Sequence, residues 1–160
     1  MRRPDFSDTS PGRRRNMAAI RGTDTRPELR VRRLLHRLGY RFRVHARDLP
    51  GRPDIVWRSR RKAIFVNGCF WHFHRCASSV LPKTRRDWWE QKLRRTVERD
   101  EVNIRKLMEL GWEVLTIWEC TLEDEVTLNE KLIEFLGPVR LDVSPAPAKT
   151  KHGNRAQGLD

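Results

Sequence analysis

The sequence predicts a single α/β domain in which a mixed β-sheet carries helices on its faces. Its 160 residues suit one domain with a core and polar termini. The predicted elements follow the order helix, strand, strand, strand, helix, strand, helix, which is typical of this class. No apolar run approaches the roughly eighteen residues of a membrane span, and the N-terminus lacks the apolar region of a signal peptide. We therefore expect an intracellular domain.

Positive charge is concentrated in the first part of the chain. Residues 1–61 contain 18 Lys and Arg against 6 Asp and Glu, so they carry +12 of the formal net charge of +13. Clustered arginines bind phosphates and release counterions, which makes nucleic acid the expected partner. A solubilising tail explains less well why the basic residues continue into a periodic helix and strand. Residues 1–22 are therefore predicted to be a basic arm that contacts DNA and is disordered without it.

The first helix and strand follow this arm. Thr25 and Glu28 form a capping box, and leucines recur at helical spacing until Gly39 ends the helix. Apolar and basic residues then alternate over residues 40–45, which predicts a strand with one basic, solvated face.

A turn and a hairpin form the next part of the predicted sheet. The turn over residues 49–53 delivers Asp54 to the start of a short strand, residues 55–57. A basic turn joins this strand to a second hairpin arm, residues 63–67, so Asp54 is expected to lie beside the neighbouring strand.

A long helix and another strand come after the hairpin. Thr84 and Asp87 indicate the start of the helix, which runs to Leu110 and ends at Gly111. Residues 112–118 are mostly β-branched and apolar, which predicts a central strand.

The chain ends in one more helix and a tail. Residues 125–136 form the predicted helix, which a Gly-Pro pair stops. The folded domain is therefore expected over residues 23–138. Residues 139–160 are rich in Pro, Ala and Lys, which predicts a disordered tail.

The loop after the second hairpin arm contains a dense set of reactive side chains. Cys69, His74 and Cys76 have the spacing of metal ligands, and Cys120 at a strand end completes a Cys₃His set. Such a set closes a tetrahedral structural zinc site. The alternative is three reduced cysteines that act as small buried hydrophobic residues.

His72 lies two residues before the candidate ligand His74 and is expected to point elsewhere, free for acid–base work near neutral pH. Asp100 stands in the apolar stripe of the long helix, where an apolar residue is expected. A carboxylate on an inward face must be paired, and one solution is a His72–Asp100 pair. A structural salt bridge to an arginine explains the position equally well.

Asp54 and Glu28 form a candidate acidic pair. A strand-borne Asp beside a helix-borne Glu can hold a hard cation such as Mg²⁺, which takes few protein oxygens. Such an ion polarises a phosphate and activates water for hydrolysis. Taken singly, each acid has a structural explanation, because Glu28 belongs to the capping box and Asp54 to a turn.

Aromatic rings lie on the loop and at the start of the long helix. Phe70 and Trp71 are on the loop, while Trp88 and Trp89 follow a basic linker. Exposed rings bordered by Arg and Lys are suited to stacking on bases or wedging between them. The alternative is a core cluster. The tryptophans that we assign to the core, because they lie on strands, are Trp57, Trp112 and Trp118.

Several ordered motifs are specific to one family. They are Arg15-Asn16-Met17, Leu49-Pro50-Gly51-Arg52-Pro53-Asp54, Gly68-Cys69-Phe70-Trp71-His72, Val97-Glu98-Arg99-Asp100, and the segment from Leu110 to Cys120. Together they cover most of the domain and resemble the very short patch repair (Vsr) mismatch endonucleases. The resemblance implies a restriction-endonuclease-like fold and a bacterial enzyme. It also implies nicking of DNA on the 5′ side of the T in a T:G mismatch left by deamination of 5-methylcytosine.

The resemblance assigns catalytic roles by position. It implies that Asp54 binds catalytic Mg²⁺, that His72 is the catalytic histidine and that Asp100 is its carboxylate partner. Glu28 matches an acidic residue beside the metals, and the backbone carbonyl of Val66 matches a further metal contact.

Structural and DNA-contacting residues are implied in the same way. The structural zinc ligands would be Cys69, His74, Cys76 and Cys120. The aromatic wedge beside the mismatch would be Phe70, Trp71 and Trp89, and the contacts of the arm would be Arg14, Arg15, Asn16 and Met17. The resemblance further implies a monomer of the bacterial cytoplasm and nucleoid that acts on mismatched double-stranded DNA, with other mismatch-repair proteins as candidate partners.

The chain departs from the family pattern just before Gly68. Where a well-known form of the family has Thr-His, this chain has Val66 and Asn67. A metal contact through a backbone carbonyl survives at Val66, but Asn67 cannot transfer a proton near neutral pH. Phe73 likewise stands at a position where a histidine can occur.

Two other classes of protein share parts of this pattern. A restriction-type nuclease without mismatch preference would use the same acids and would cut matched duplex equally well. A non-catalytic, zinc-stabilised DNA-binding module would share the charge and the cysteines but would not need Asp54 or Asp100.

Overall fold

The computed structural model describes residues 22–139, together with Gly12 and Arg15. Within residues 22–139, the elements follow the predicted order. The helices are α1 (Arg26–Arg37), α2 (Arg86–Glu109) and α3 (Glu125–Leu136), and the strands are β1 (Arg43–Val44), β2 (Ile55–Trp57), β3 (Lys62–Asn67) and β4 (Glu113–Trp118). None of the described helices is both long and apolar enough to cross a membrane.

The four described strands form one mixed sheet in the order β1–β2–β3–β4. β1 and β2 are antiparallel, as are β2 and β3, whereas β3 and β4 are parallel. The parallel pair is joined through α2, because parallel neighbours need a long crossover. The predicted α/β class with a mixed sheet is confirmed.

The main core lies between α1, α3 and one face of the sheet. Thr25 caps α1 by accepting a hydrogen bond from the Glu28 N–H, so the predicted capping box is confirmed. The apolar side chains that meet in this core include Val31 and Leu35 of α1 and Leu132 of α3. They cover the middle strands, β2 and β3, and thereby fix α1 beside the start of β2.

The first strand is shorter than predicted. Only Arg43 and Val44 pair with β2, and Val44 is exposed although the alternation predicted an inward side chain. Tyr40 and Phe42 instead lie outside the sheet and pack against Trp57. Their ring centroids lie 6.3 and 5.8 Å from that of Trp57. Aromatic packing thus replaces strand pairing over the first part of this segment.

Two predictions for the second half were wrong. Thr84 does not cap α2, which begins at Arg86 after a left-handed Arg85 with no side-chain cap. β4 is an edge strand of the described sheet rather than a central one. The apolar residues of β4 pack against helices on the faces of the sheet. An apolar composition therefore does not show whether a strand has a neighbouring strand on both sides. The predicted helix ends at Gly111 and at Gly137 are confirmed, and both glycines have positive φ angles.

Candidate active site and metal centre

Asp54 lies at the start of β2 with its carboxylate against β3. Its backbone N–H donates to the Ile64 carbonyl at 3.1 Å, and its Oδ2 accepts from the Val66 N–H at 2.8 Å. Burial raises the pKa of Asp54 to about 6, the hydrogen bond from Val66 partly offsets this rise, and the negative charge of Glu28 adds to it. A bound cation would compensate this carboxylate for the loss of water, and an oxygen ligand suits a hard cation such as Mg²⁺.

Glu28 is buried on the inner face of α1, with 3% of its surface exposed. The Thr25 hydroxyl donates to its Oε1 at 3.0 Å, and the Asp24 N–H donates to its Oε2 at 3.0 Å. Arg32 also donates to Oε2, at 2.9 Å. Glu28 therefore completes the helix cap, and its negative charge lies near enough to raise the pKa of Asp54. A role of Glu28 beside a metal ion stays a prediction.

Val66 and Asn67 end β3 and are both buried. The contact between Val66 and Asp54 uses the backbone N–H, so the identity of the Val66 side chain does not decide it. A metal contact of the Val66 carbonyl stays a prediction. Asn67 lies opposite Trp118 in the parallel pair and puts a polar but non-titrating side chain at this end of the strand.

His72 and Asp100 form a close pair between the loop and α2. His72 Nδ1 lies 2.5 Å from Asp100 Oδ2, and both side chains are about three-quarters buried. Arg99 approaches the other carboxylate oxygen of Asp100 at 3.3 Å, so both alternatives for this carboxylate occur, with the histidine closer. Asp100 thus orients the imidazole through Nδ1. The other ring nitrogen, Nε2, is the one that could take part in proton transfer.

The candidate metal ligands of the loop also converge. Cys69, His74, Cys76 and Cys120 place their ligand atoms within 4.8 Å of one another, and this group could hold a metal ion. Three thiols and one imidazole match the donor set of structural zinc. Burial raises the pKa of the Cys69 thiol to about 12, so a bound metal has to displace its proton.

Backbone turns separate the two histidines of the loop. The His72 N–H donates to the Gly68 carbonyl at 3.2 Å, and the His74 N–H donates to the Cys69 carbonyl at 2.9 Å. His74 stacks on Trp118 with centroids 4.2 Å apart, while His72 meets the same indole edge-on at 6.5 Å. Trp118 was predicted to be a core residue, but it is half-buried and packs between the candidate metal group and the candidate catalytic histidine.

The predicted wedge residues form one aromatic cluster. Phe70 lies 5.0 Å from Trp71 and 5.4 Å from Trp89 between ring centroids. Trp89 is buried, whereas Phe70 and Trp71 are half-buried, so the expectation of exposed rings is wrong for Trp89. Lys92 covers three indoles, with its Nζ 4.9 Å from the centroid of Trp89. The three rings therefore pack on one another.

Most of the predicted arm falls outside the part of the chain that the structure describes. Arg14, Asn16 and Met17 are among these residues, and so are all but one residue of the predicted tail. Arg15 is described and exposed.

Sequence reasoning missed Arg32 and His45. Their side chains join Glu28 and Asp24 in one polar cluster, in which Arg32 Nη2 lies 2.9 Å from His45 Nε2. The spacing of Glu28 and Arg32, four residues apart on a helix, could have revealed that pair. The contact with His45 has no local signal, because it depends on how α1 packs against the sheet.

The sequence is similar to those of known DNA-nicking enzymes. The family profile described as "DNA mismatch endonuclease Vsr" matches residues 5–78. The chain is 48% identical over 130 residues to the type II nicking enzyme V.XorIIP of Xanthomonas oryzae pv. oryzae, covering 81% of this chain and 96% of that protein. It is 45% identical over 121 residues to the DNA mismatch endonuclease Vsr of Escherichia coli K12, covering 76% of this chain and 78% of that protein. The type II nicking enzyme V.NmeAIP of Neisseria meningitidis is 35% identical over 124 residues, with coverages of 78% and 89%. With two relatives this similar along nearly the whole domain, the chain belongs to the Vsr family of DNA mismatch endonucleases.

Proposed function

We propose that this protein nicks double-stranded DNA on the 5′ side of the T in T:G mismatches that arise from deaminated 5-methylcytosine. As a member of its family it is a DNA mismatch endonuclease, a hydrolase of phosphodiester bonds. The base pair, the strand and the position of the nick are the parts that we propose. The observation that carries the reaction is the partly buried Asp54, with its raised pKa, in the same domain as the His72–Asp100 pair.

In this mechanism Asp54 would hold Mg²⁺, with the carbonyl of Val66 as a further ligand and Glu28 as a nearby negative charge. When bound, the ion would supply charge compensation for the attacked phosphate. His72 moves a proton at Nε2, and Asp100 keeps the ring in position. Support comes from the 2.5 Å approach of His72 and Asp100 and from the hydrogen bond that orients Asp54.

A structural Zn²⁺ on Cys69, His74, Cys76 and Cys120 belongs to the same proposal, as does a restriction-endonuclease-like fold for residues 23–138. The donor set of the loop supports zinc. Because this group packs against Trp118, and Trp118 contacts His72, zinc would stiffen the loop that presents the catalytic histidine.

DNA binding is assigned to the arm, to α1 and to the aromatic cluster. We propose that Arg14, Arg15, Asn16 and Met17 contact the duplex. Phe70, Trp71 and Trp89 would open their cluster and insert beside the mismatch, which costs base unstacking but gains contact area. The protein would act as a monomer at the bacterial nucleoid, with other mismatch-repair proteins as possible partners.

The first test is nicking of a labelled duplex with one T:G mismatch beside its T:A control, with Mg²⁺ and with EDTA. We expect metal-dependent cutting of the T strand in the mismatched duplex alone. Equal cutting of both duplexes would favour a restriction-type nuclease instead. Salt-sensitive binding without any cutting would favour a DNA-binding module.

Asp54→Ala tests the metal ligand. This variant should lose nicking by a factor of about 100 or more while DNA binding in EDTA changes little. Asp48→Ala is the matched control, because Asp48 is an exposed acid that pairs with Arg58 in the same part of the chain. Full activity of Asp54→Ala would overturn the assignment.

A further variant, Trp71→Ala, tests the wedge. We expect its preference for mismatched over matched duplex to fall by about tenfold, since each lost base stack is worth about 1–3 kcal/mol. Binding to matched duplex should change less. An equal loss on both duplexes would contradict the wedge role.

A further inference from the structure

Arg32 lies in the middle of a second group of possible metal ligands. The ligand atoms of Asp24, Glu28 and His45 lie within 4.8 Å of one another. Arg32 Nη1 is 2.7 Å from Asp24 Oδ1, and Nη2 is 2.9 Å from both Glu28 Oε2 and His45 Nε2. A permanent positive charge therefore already takes the place that a divalent ion would occupy.

The chemistry of the contacts supports this reading. His45 Nε2 also lies 3.2 Å from Asp24 Oδ1, so one ring nitrogen meets both the guanidinium and a carboxylate of this group. Two carboxylates and one imidazole are donors that suit transition metals such as Mn²⁺ and Zn²⁺. A guanidinium is positively charged and has no acceptor atom, so Arg32 pairs with these carboxylates but cannot itself bind a metal.

The central ion pair of this group, between Glu28 and Arg32, is largely buried. Glu28 is 3% exposed and Arg32 is 12% exposed, so each needs the other as a charge partner. Asp24 and His45 both have left-handed backbones, with φ angles of +56° and +51°, which persist where surrounding contacts hold them. The His45 N–H also donates to the Asp54 carbonyl at 3.1 Å, so the group is tied to the proposed metal ligand.

We propose that Arg32 is a built-in cation that holds Glu28 beside Asp54 and keeps a divalent ion out of the group formed by Asp24, Glu28 and His45. Arg32 is thus a positioning residue that also decides where divalent ions bind. The positioning part rests on the proposed function of Asp54. The exclusion of divalent ions can be tested without DNA and without nicking activity.

The test counts Mn²⁺ ions by electron paramagnetic resonance in zinc-loaded protein that carries Asp54→Asn, so that the proposed cleft ligand is absent. Adding Arg32→Ala should create a site for about one Mn²⁺ per chain, with an affinity at least about tenfold above the parent. Adding Glu28→Gln to that variant should remove the gain. Tight Mn²⁺ binding by the parent, or no gain in the folded variant, would overturn the proposal.

Lys62→Ala is the matched control for loss of a buried cation. Lys62 is 17% exposed, and among the described residues the one carboxylate that it contacts is that of Glu113, so its removal should create no Mn²⁺ site. Arg32→Gln is the second variant if Arg32→Ala fails to fold, because glutamine keeps much of the side-chain volume without the charge. If neither variant folds, the NMR signals of the His45 ring are recorded in the chain that keeps Arg32, with Mn²⁺ added. Broadened signals would overturn the proposal, and sharp signals would support it.

Positioning is measured separately with Asp54 intact. Arg32→Gln should lower kcat for nicking by about tenfold and weaken Mg²⁺ binding in calorimetry, while DNA affinity in EDTA stays within about twofold. A purely structural role would lower thermal stability without changing Mg²⁺ affinity. Absence of nicking by the unmodified chain would contradict the proposed function and leave the Mn²⁺ result unaffected.

Discussion

Burial of the Asp54 carboxyl group disfavours its negatively charged form. Its pKa is raised from 3.8 to about 6, first by burial, against the hydrogen bond from the Val66 N–H. Between these two values the folded chain binds more protons than the unfolded chain. The free energy of unfolding therefore falls as pH rises through this window and stays lower above it. Strongly shifted pKa values of this kind are common at functional sites, which agrees with the proposed role of Asp54 as a metal ligand.

Asp54→Asn should therefore stabilise the chain at pH 7.5 but not at pH 4. The expected gain is on the order of 1–3 kcal/mol, because a shift of one unit corresponds to about 1.4 kcal/mol. Urea unfolding without added Mg²⁺ at several pH values measures it. Asp48→Asn should behave in the opposite direction, since Arg58 lowers the pKa of that exposed carboxyl. A stability difference for Asp54→Asn that does not vary with pH would contradict this account.

Gly51 shapes the turn that leads to Asp54. Its φ angle is +70°, and a Cβ atom there would lie 2.9 Å from Asn103 Cβ and 3.1 Å from the Phe65 ring. Gly51→Ala should lower the free energy of unfolding by about 1–3 kcal/mol, through backbone strain and overpacking. Gly22→Ala is the control, because nothing lies within 4 Å of that position. Equal urea midpoints for the two variants would refute the packing argument.

α1 has two chemically different faces. Its inner face buries apolar residues and carries Glu28 and Arg32. Its outer face carries four arginines at helical spacing, namely Arg26, Arg30, Arg33 and Arg37. Within the described residues, only Arg37 of these four forms a salt bridge, with Glu125. α2 differs, because it mixes acidic and basic residues along its length. The uniform positive charge of the outer face of α1 suits phosphate contacts.

Arg30→Gln and Arg33→Gln should each weaken binding to matched and mismatched duplex alike. A lost phosphate contact reduces the slope of log K against log salt by about 0.9. Binding titrations at several salt concentrations measure this slope. Lys131→Gln is the control, since α3 carries mainly acidic residues around that position. An unchanged slope in both arginine variants would remove α1 from the DNA-binding surface.

The candidate metal group links distant parts of the whole molecule. Cys69, His74 and Cys76 lie on the loop after β3, whereas Cys120 follows β4. His74 Nδ1 lies 3.5 Å from Cys120 Sγ across 46 residues of chain. A metal at this point would close a long loop and fix the ends of both parallel strands, which is a large contribution for a small domain.

Cys120→Ser should therefore reduce zinc content from about one ion per chain to little or none and lower the Tm by about 10 °C or more. Elemental analysis and thermal unfolding, with and without a chelator, measure both effects. Glu119→Gln is the control, because Glu119 is the exposed neighbour of Cys120. A variant that keeps both zinc and Tm would show that Cys120 is no ligand.

Features that depend only on neighbouring residues could be predicted before the fold was known. The cap at Thr25 and the helix ends at Gly39, Gly111 and Gly137 follow from local hydrogen bonds and positive φ angles. The order of the elements and the family motifs were also evident, because they need no knowledge of which strands are neighbours.

Contacts between residues that are distant in the chain could be found only from the packed structure. It placed β4 at an edge, shortened β1 and put Arg32 against His45, although these two residues lie 13 positions apart. It also chose His72 over Arg99 as the closer partner of Asp100. The physical reason is that strand pairing and buried charge pairs depend on how whole elements pack against one another. The residues of one element do not specify which other element they will contact.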